Sequence, residues 1–248
     1  MSTLVLIHGA WHGGWCWHKL SPLLLAAGHK VITPDLPGHG DNQTPPASVT
    51  MDMYVRTVTD ILDQLEEPAC LVGHSMGGII ITEAAERRSD KLEALVYLAA
   101  FLPRNGESLA SLEQVNTYSS VPLNLVTSAD GRTATVLEEK VVELFYHDCS
   151  PADIEFARRR LCPQSLGLLN MPVRISPAKY GRVPRHYIKC TADQALRDEF
   201  QDTMLAATPG TTVHELNASH SPFFSMPEQL ARVLLSICDS RVQGLRKL

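Results

Sequence analysis

Ser75 stands in the run GHSMG at positions 73–77, between the apolar stretch ACLV and the helix-forming stretch GIIITEAAERR. This is the pattern G-x-S-x-G in the context that gives it meaning, a strand turning sharply into a helix. Such a turn strains the central residue, and glycines at 73 and 77 remove side chains that would collide across it. The serine oxygen is then displayed at the carboxyl end of a sheet, where open α/β sheets place ligands. It also sits at the amino end of the next helix, whose free N–H groups favour an anion.

A serine hydroxyl is a weak nucleophile until a neighbouring base takes its proton. Of the ten histidines, His220 in LNASHSPFFSMPEQL follows the last strand-like run and precedes the last helix-like run. A loop there can carry a base to Ser75. His18, His29, His147 and His214 fall within elements or at their edges, His186 opens a strand, and His74 should point away from its neighbour. The acid is expected after the preceding strand, in the chain order serine, acid, histidine. Asp193 in YIKCTADQAL meets that condition; Asp198, Glu199 and Asp202 read as the solvated face of the next helix. Its role would be to hold the His220 ring in one tautomer.

The glycine-rich loop IHGAWHGGW at 7–15 reaches the same sheet edge. Together with the residue after the nucleophile, it offers the backbone amides of Ala10 and Met76 to a developing oxyanion. Trp11 and His12 are candidates for the pocket wall. The loop DLPGHGDN at 35–42 resembles a metal site in composition, but its spacing fits turn chemistry better. No phosphate-binding lysine follows GHSMGG, which argues against a nucleotide.

The elements that must position these groups are legible as an alternation. Strands are expected at 3–7, 30–34, 69–73, 93–99, 185–190 and 211–216, and helices at 16–27, 52–66, 77–88, 195–207 and 227–239. Each parallel crossover needs a helix-sized connection, so the rhythm predicts a mostly parallel sheet with helices on both faces. The interval 103–184 breaks it, with helix-like stretches TATVLEEKVVELFY and SPADIEFARRRL and no convincing buried strand. It is expected to form a helical lid, inserted into a core made of 1–102 and 185–248. The end of the chain, RVQGLRKL, reads as a short basic tail that frays.

Composition narrows the partners. A net charge of −5 over 248 residues gives no basic field for nucleic acid or an anionic membrane. The six cysteines form no CxxC pair and read as reduced, the N-terminus has no signal-like run, and a cytoplasmic protein is expected.

The stretches LIHGAWHGGWCWHKL, AAGHKVITPDLPGHG, LVGHSMGG, YLAAFLP, CSPADIEFA, YIKCTADQALRDEFQ and ASHSPFFSMPEQL together resemble the α/β-hydrolase superfamily. The likeness is strongest to the branch of plant methyl-ester esterases such as methyl salicylate esterase, hydroxynitrile lyases and bacterial pyrethroid-type carboxylesterases. It implies the α/β-hydrolase fold, a mostly parallel doubly wound sheet of about six strands with an inserted helical lid. It also implies Ser75 as nucleophile, His220 as base, Asp193 as acid, and the Ala10 and Met76 amides as oxyanion hole. The lyase branch has threonine after the first-strand histidine and lysine after the catalytic histidine; here those positions hold Gly9 and Ser221.

The expected activity is hydrolysis of small to medium hydrophobic or aromatic esters through an acyl-enzyme, without metal or cofactor, by a monomer or homodimer. The apolar residues Leu102, Phe145, Leu161 and Phe223 are expected to line the pocket. The alternatives are a ligand-sensing relative with slow turnover, and a hydroxynitrile lyase or lactonase.

Overall fold

The computed structural model describes the backbone of residues 1–245 and side chains through residue 238. The side chains of the expected basic tail, and its last three residues altogether, lie outside the described residues. Six strands form one sheet: β1 (Thr3–Ile7), β2 (Lys30–Ile32), β3 (Ala69–His74), β4 (Leu92–Leu98), β8 (Arg185–Cys190) and β9 (Thr211–Leu216). Their order is β2-β1-β3-β4-β8-β9, and every neighbouring pair is parallel. The order reverses beside β1, which puts the carboxyl ends of β1 and β3 at a switch point.

Successive side chains of a strand point to opposite faces, and the core divides accordingly. Val5, Ile7, Leu71 and Tyr97 pack into one apolar cluster, whereas Leu4, Leu6, Val72 and Leu98 pack into the other. The central strands are buried on both faces, which is why β1 and β3 read as continuous apolar runs rather than alternations.

The flanking helices are α1 (Leu20–Ala26), α2 (Met51–Asp63), α3 (Gly77–Arg87), α7 (Asp198–Ala207), α8 (Pro222–Ser225) and α9 (Pro227–Leu245). The expected helix at 16–27 begins only at Leu20, after a single 3-10 turn at Gly14–Trp17. Pro22 explains the delay: it lacks an N–H and is tolerated only within a first turn. Thr50 caps α2 by accepting from the Met53 amide at 3.3 Å. The last helix continues to Leu245, six residues beyond its expected end at 239.

The interval between β4 and β8 is not purely helical. It contains α4 (Leu109–Val115), α5 (Glu138–Val141) running into a π turn at Val142–Tyr146, and α6 (Pro151–Arg158). It also contains three strands, β5 (Leu125–Thr127), β6 (Thr133–Val136) and β7 (Gln164–Ser165), paired antiparallel as a separate sheet. The expectation of a helical insertion is corrected on this point. The opening TATV of TATVLEEKVVELFY, expected in a helix, is strand β6. Among the described residues no helix is long and apolar enough to cross a membrane.

Candidate active site

The turn from β3 into α3 carries Ser75 with φ +55°, in the left-handed region that side chains other than glycine rarely enter. Such strain persists only where the surroundings enforce it. Here the Ser75 amide donates to the Leu98 carbonyl at 3.3 Å, and the Ser75 carbonyl accepts from Gly78 at 3.0 Å and Phe101 at 3.1 Å. The glycines are required by close approach. A Cβ on Gly73 would lie 2.7 Å from the Gly77 carbonyl oxygen, and one on Gly77 would lie 2.9 Å from that of Ile7. A Cβ on Gly78 would collide with the Phe101 carbonyl.

His220 follows β9, and Asp193 follows β8. The two side chains meet with Nδ1 of His220 donating to Oδ2 of Asp193 at 2.6 Å, and both residues are almost completely buried. The other carboxylate oxygen, Oδ1, accepts from the amides of Ala195 at 2.8 Å and Leu196 at 2.9 Å. A carboxylate can only accept in this arrangement, so the His220 proton sits on Nδ1 and Nε2 is left as the basic nitrogen. Asp198 and Asp202 pair instead with Lys189, at 2.9 and 2.6 Å.

Ser75 and His220 open onto one cavity of about 280 Å³, whose walls also include Ala10, Met76, Trp11 and Phe145. That volume is at the small end of the range for small-molecule sites. Met76 is the residue before the first turn of α3, and no side chain among the described residues caps that end. Met76 lines the cavity, and in the turn behind it the amides of Gly78 and Ile79 donate to the carbonyls of Ser75 and Met76, each at 3.0 Å. On the opposite side Trp11, also left-handed at φ +63°, follows Ala10. The indole Nε1 of Trp11 donates to the Ala134 carbonyl of β6 at 2.9 Å, and the Cys162 amide donates to the Trp11 carbonyl at 3.0 Å. The loop after β1 is thus tied to the 103–184 segment from two directions.

Four residues expected in the pocket lie elsewhere. His12 is buried behind the wall: Nδ1 donates to the Ala10 carbonyl at 2.8 Å, and Nε2 accepts from the Tyr146 hydroxyl at 2.6 Å. It is an anchor for the Ala10 loop. Phe223 packs edge-on against His74 and Trp17, beneath the site. Leu102 is buried in the core while its neighbour Phe101 reaches the cavity, and Leu161 faces a separate small void beside Trp11. The loop at 35–42 is held by turn chemistry, Asp35 accepting from the amides of Gly14 at 2.7 Å and Asp41 at 2.9 Å. The cavity also contains a residue that the sequence reading passed over, Glu113 of α4.

Three more histidines form the base of the site, and each is held neutral. Burial pushes His8 and His74 well below the ordinary histidine value, and pushes His12 down to about 4. Their bonds fix the tautomers: His8 Nδ1 donates to Gly9 and Nε2 accepts from Leu36, while His74 Nε2 donates to the His220 carbonyl at 2.8 Å. An unfolded chain protonates these rings near 6.5 and the folded one does not, so below that pH the unfolded state binds more protons. Stability is therefore expected to fall as the pH drops from about 6.5 toward 4, by about 3 kcal/mol for His12 alone. Urea midpoints at pH 7.5, 6.5, 5.5 and 5 would measure it. A flat profile over that range would contradict the assignment of neutral, buried rings.

The Alpha/beta hydrolase family matches residues 4–233 of the chain. Pheophorbidase of Raphanus sativus is 34% identical over 241 residues, covering 93% of this chain and 92% of that protein. Methylesterase 1 of Arabidopsis thaliana is 32% identical, with 96% of each chain covered. Among solved structures, a pyrethroid hydrolase from Sphingobium faniae superposes with a TM-score of 0.85 at 31% identity, covering 98% of this chain and 99% of that one. The parallel six-stranded sheet, the strained serine at the switch point and the match along nearly the whole length agree: the chain belongs to the alpha/beta hydrolase family, as an enzyme of its carboxylesterase kind.

Proposed function

We propose that the protein hydrolyses carboxylic esters of small to medium, hydrophobic or aromatic character through an acyl-enzyme formed on Ser75. The observation that carries this is the strained Ser75 sharing a cavity with His220, whose other ring nitrogen is bonded to buried Asp193. In this reading the Ser75 oxygen attacks the ester carbonyl carbon while Nε2 of His220 takes the hydroxyl proton. The carbonyl oxygen becomes an oxyanion between the amides of Ala10 and Met76. His220 then returns the proton to the departing alcohol, leaving the acyl group on Ser75. Water attacks that acyl carbon with His220 again accepting a proton, and the acid leaves with Ser75 restored. Asp193 keeps the ring oriented and stabilises the imidazolium at both stages.

Residues 103–184 act in this reading as a cap over the core of 1–102 and 185–248. More than half of the cavity lining comes from that segment, and apart from Glu113 and Gln164 its contribution is apolar. A dry wall of this kind favours hydrophobic acyl or alcohol groups and strengthens the field of the oxyanion donors.

Initial rates on p-nitrophenyl esters from acetate to decanoate, with methyl salicylate and mandelonitrile beside them, test the proposal. Turnover of short and medium esters with an optimum in chain length, and no cyanide from mandelonitrile, is the expected outcome. Negligible ester turnover, or cyanide release in place of it, would overturn the esterase reading.

A further inference from the structure

Two aromatic rings stand between the cavity and a second space that the proposed reaction does not use. Trp11 and Phe145 line the 280 Å³ cavity onto which Ser75 opens, and the same two residues line a recess of about 50 Å³ between β6 and residues 161–162. Thr135, Val136, Val141, Leu161 and Cys162 complete the recess, a mostly apolar set. The ring centroids of Trp11 and Phe145 are 5.7 Å apart and the planes are tilted by 31°, the spacing of a packed aromatic pair. Each ring is fixed from behind. The Trp11 indole donates to the Ala134 carbonyl, and the Trp11 carbonyl accepts from the Cys162 amide. Phe145 belongs to the π turn Val142–Tyr146, a rare geometry that recurs at functional sites. Consecutive side chains of that turn have different partners: Phe145 lies 5.7 Å from the His220 ring, centroid to centroid, while the Tyr146 hydroxyl donates to His12 at 2.6 Å. The pair is therefore a fixed partition.

We propose that Phe145 is a specificity-determining residue: its ring, backed by that of Trp11, ends the apolar space beside Ser75 and so limits the length of the acyl or alkyl chain that an ester can seat. Trimming the Phe145 ring joins the recess to the cavity. The space gained is apolar, so a chain that extends into it leaves water, and each methylene buried in this way is worth about fourfold in affinity. Phe145 is the member of the pair that can be varied cleanly. Its side chain has no polar atom, so shortening it orphans no hydrogen bond, whereas Trp11 holds the bond to Ala134 and a left-handed backbone beside Ala10. This inference rests on the ester-hydrolase reading for the reaction, but not for the binding.

The test uses two series, p-nitrophenyl esters with a lengthening acyl chain and benzoate esters with a lengthening alkyl chain. In at least one of them, Phe145→Ala is expected to raise the kcat/KM of the eight-carbon ester relative to the four-carbon ester by about tenfold or more, the worth of two newly seated methylenes. The ratio cancels any general loss of activity. Phe145→Leu should give a smaller shift in the same direction, and it decides the matter if the alanine variant does not fold. Leu125→Ala, which enlarges the cavity at a residue that does not touch the recess, should leave the ratio within about threefold. Leu161→Phe added to Phe145→Ala should fill the recess and return the ratio toward wild type. Dissociation constants of the same esters on Ser75→Ala, with and without Phe145→Ala, provide a readout independent of turnover. If hydrolysis fails but Phe145→Ala strengthens binding of the longer esters, the reaction is misassigned and the partition stands. If the Phe145 variants leave the length preference unchanged in rate and binding for both series, or Leu125→Ala shifts it as far, the partition is wrong.

Discussion

Ser75→Ala is expected to lower kcat/KM for ester hydrolysis by about 10⁴- to 10⁶-fold while the protein stays folded. The substitution removes one heavy atom, the oxygen proposed to attack the carbonyl, and leaves the Cβ in place. The strained backbone at φ +55° is held by amide and carbonyl bonds to Leu98, Gly78 and Phe101, and none of these involves the side chain. Thermal midpoint and circular dichroism should therefore match wild type. The loss should fall on kcat and kcat/KM, because the missing interaction exists only as the covalent bond forms. Mass spectrometry after brief mixing with a slowly deacylating ester should show the acyl adduct on wild type and none on the alanine variant. An adduct on the variant, or retention of more than about a tenth of the activity, would place the nucleophile elsewhere and remove the basis of the mechanism.

The parts of the site that were legible in the sequence were so for physical reasons. Ser75 and Asp193 follow the carboxyl ends of the buried strands β3 and β8, which announce themselves as apolar runs, whereas His220 follows β9, a largely exposed edge strand legible only by its β-branched start. A chemical residue placed just after such a run has only one place to be. The pocket wall was less legible because it comes largely from 103–184, where no strand periodicity anchors the reading. Yet a signal for β5 and β6 was present. The stretch LVTSADGRTATV flanks an Asp-Gly pair with β-branched residues, and Gly131 has φ +70° as a hairpin turn of this kind requires. It was masked because β5 is a half-exposed edge and never reads as a core strand. His12 and Phe223 were misplaced for another reason. Both neighbour functional residues in sequence, but adjacent residues on a turn or a helix point to different sides, and both were carried behind the wall. Glu113 had a legible sign as well, an acid at the position where Leu109 and Ala110 predict an apolar residue.

Asp193→Asn separates the orienting role of the acid from its packing role, and its expected effect is a fall of about 10⁴-fold in kcat. The carboxylate of Asp193 divides its work, with Oδ1 accepting from the Ala195 and Leu196 amides and Oδ2 accepting from His220. An asparagine has one acceptor oxygen, and two backbone N–H groups at 2.8 and 2.9 Å claim it. Its NH₂ group then points at Nδ1 of His220 as a donor. The ring must answer by accepting at Nδ1, which moves its proton to Nε2 and leaves nothing to receive the Ser75 proton. The developing imidazolium also loses the adjacent negative charge. Ester binding should change little, since Asp193 is buried away from the cavity wall. Asp193→Ala should add a structural cost of about 1–3 kcal/mol for each backbone amide left unpaired, so its thermal midpoint should fall where that of the asparagine variant does not. The comparison that decides the assignment is Asp202→Asn, which removes a carboxylate two turns of chain away that pairs with Lys189 at 2.6 Å. If the acid is Asp193, Asp202→Asn retains kcat within about twofold. If kcat instead collapses in Asp202→Asn and survives in Asp193→Asn, the bond between His220 and Asp193 is structural and the base is oriented by another group.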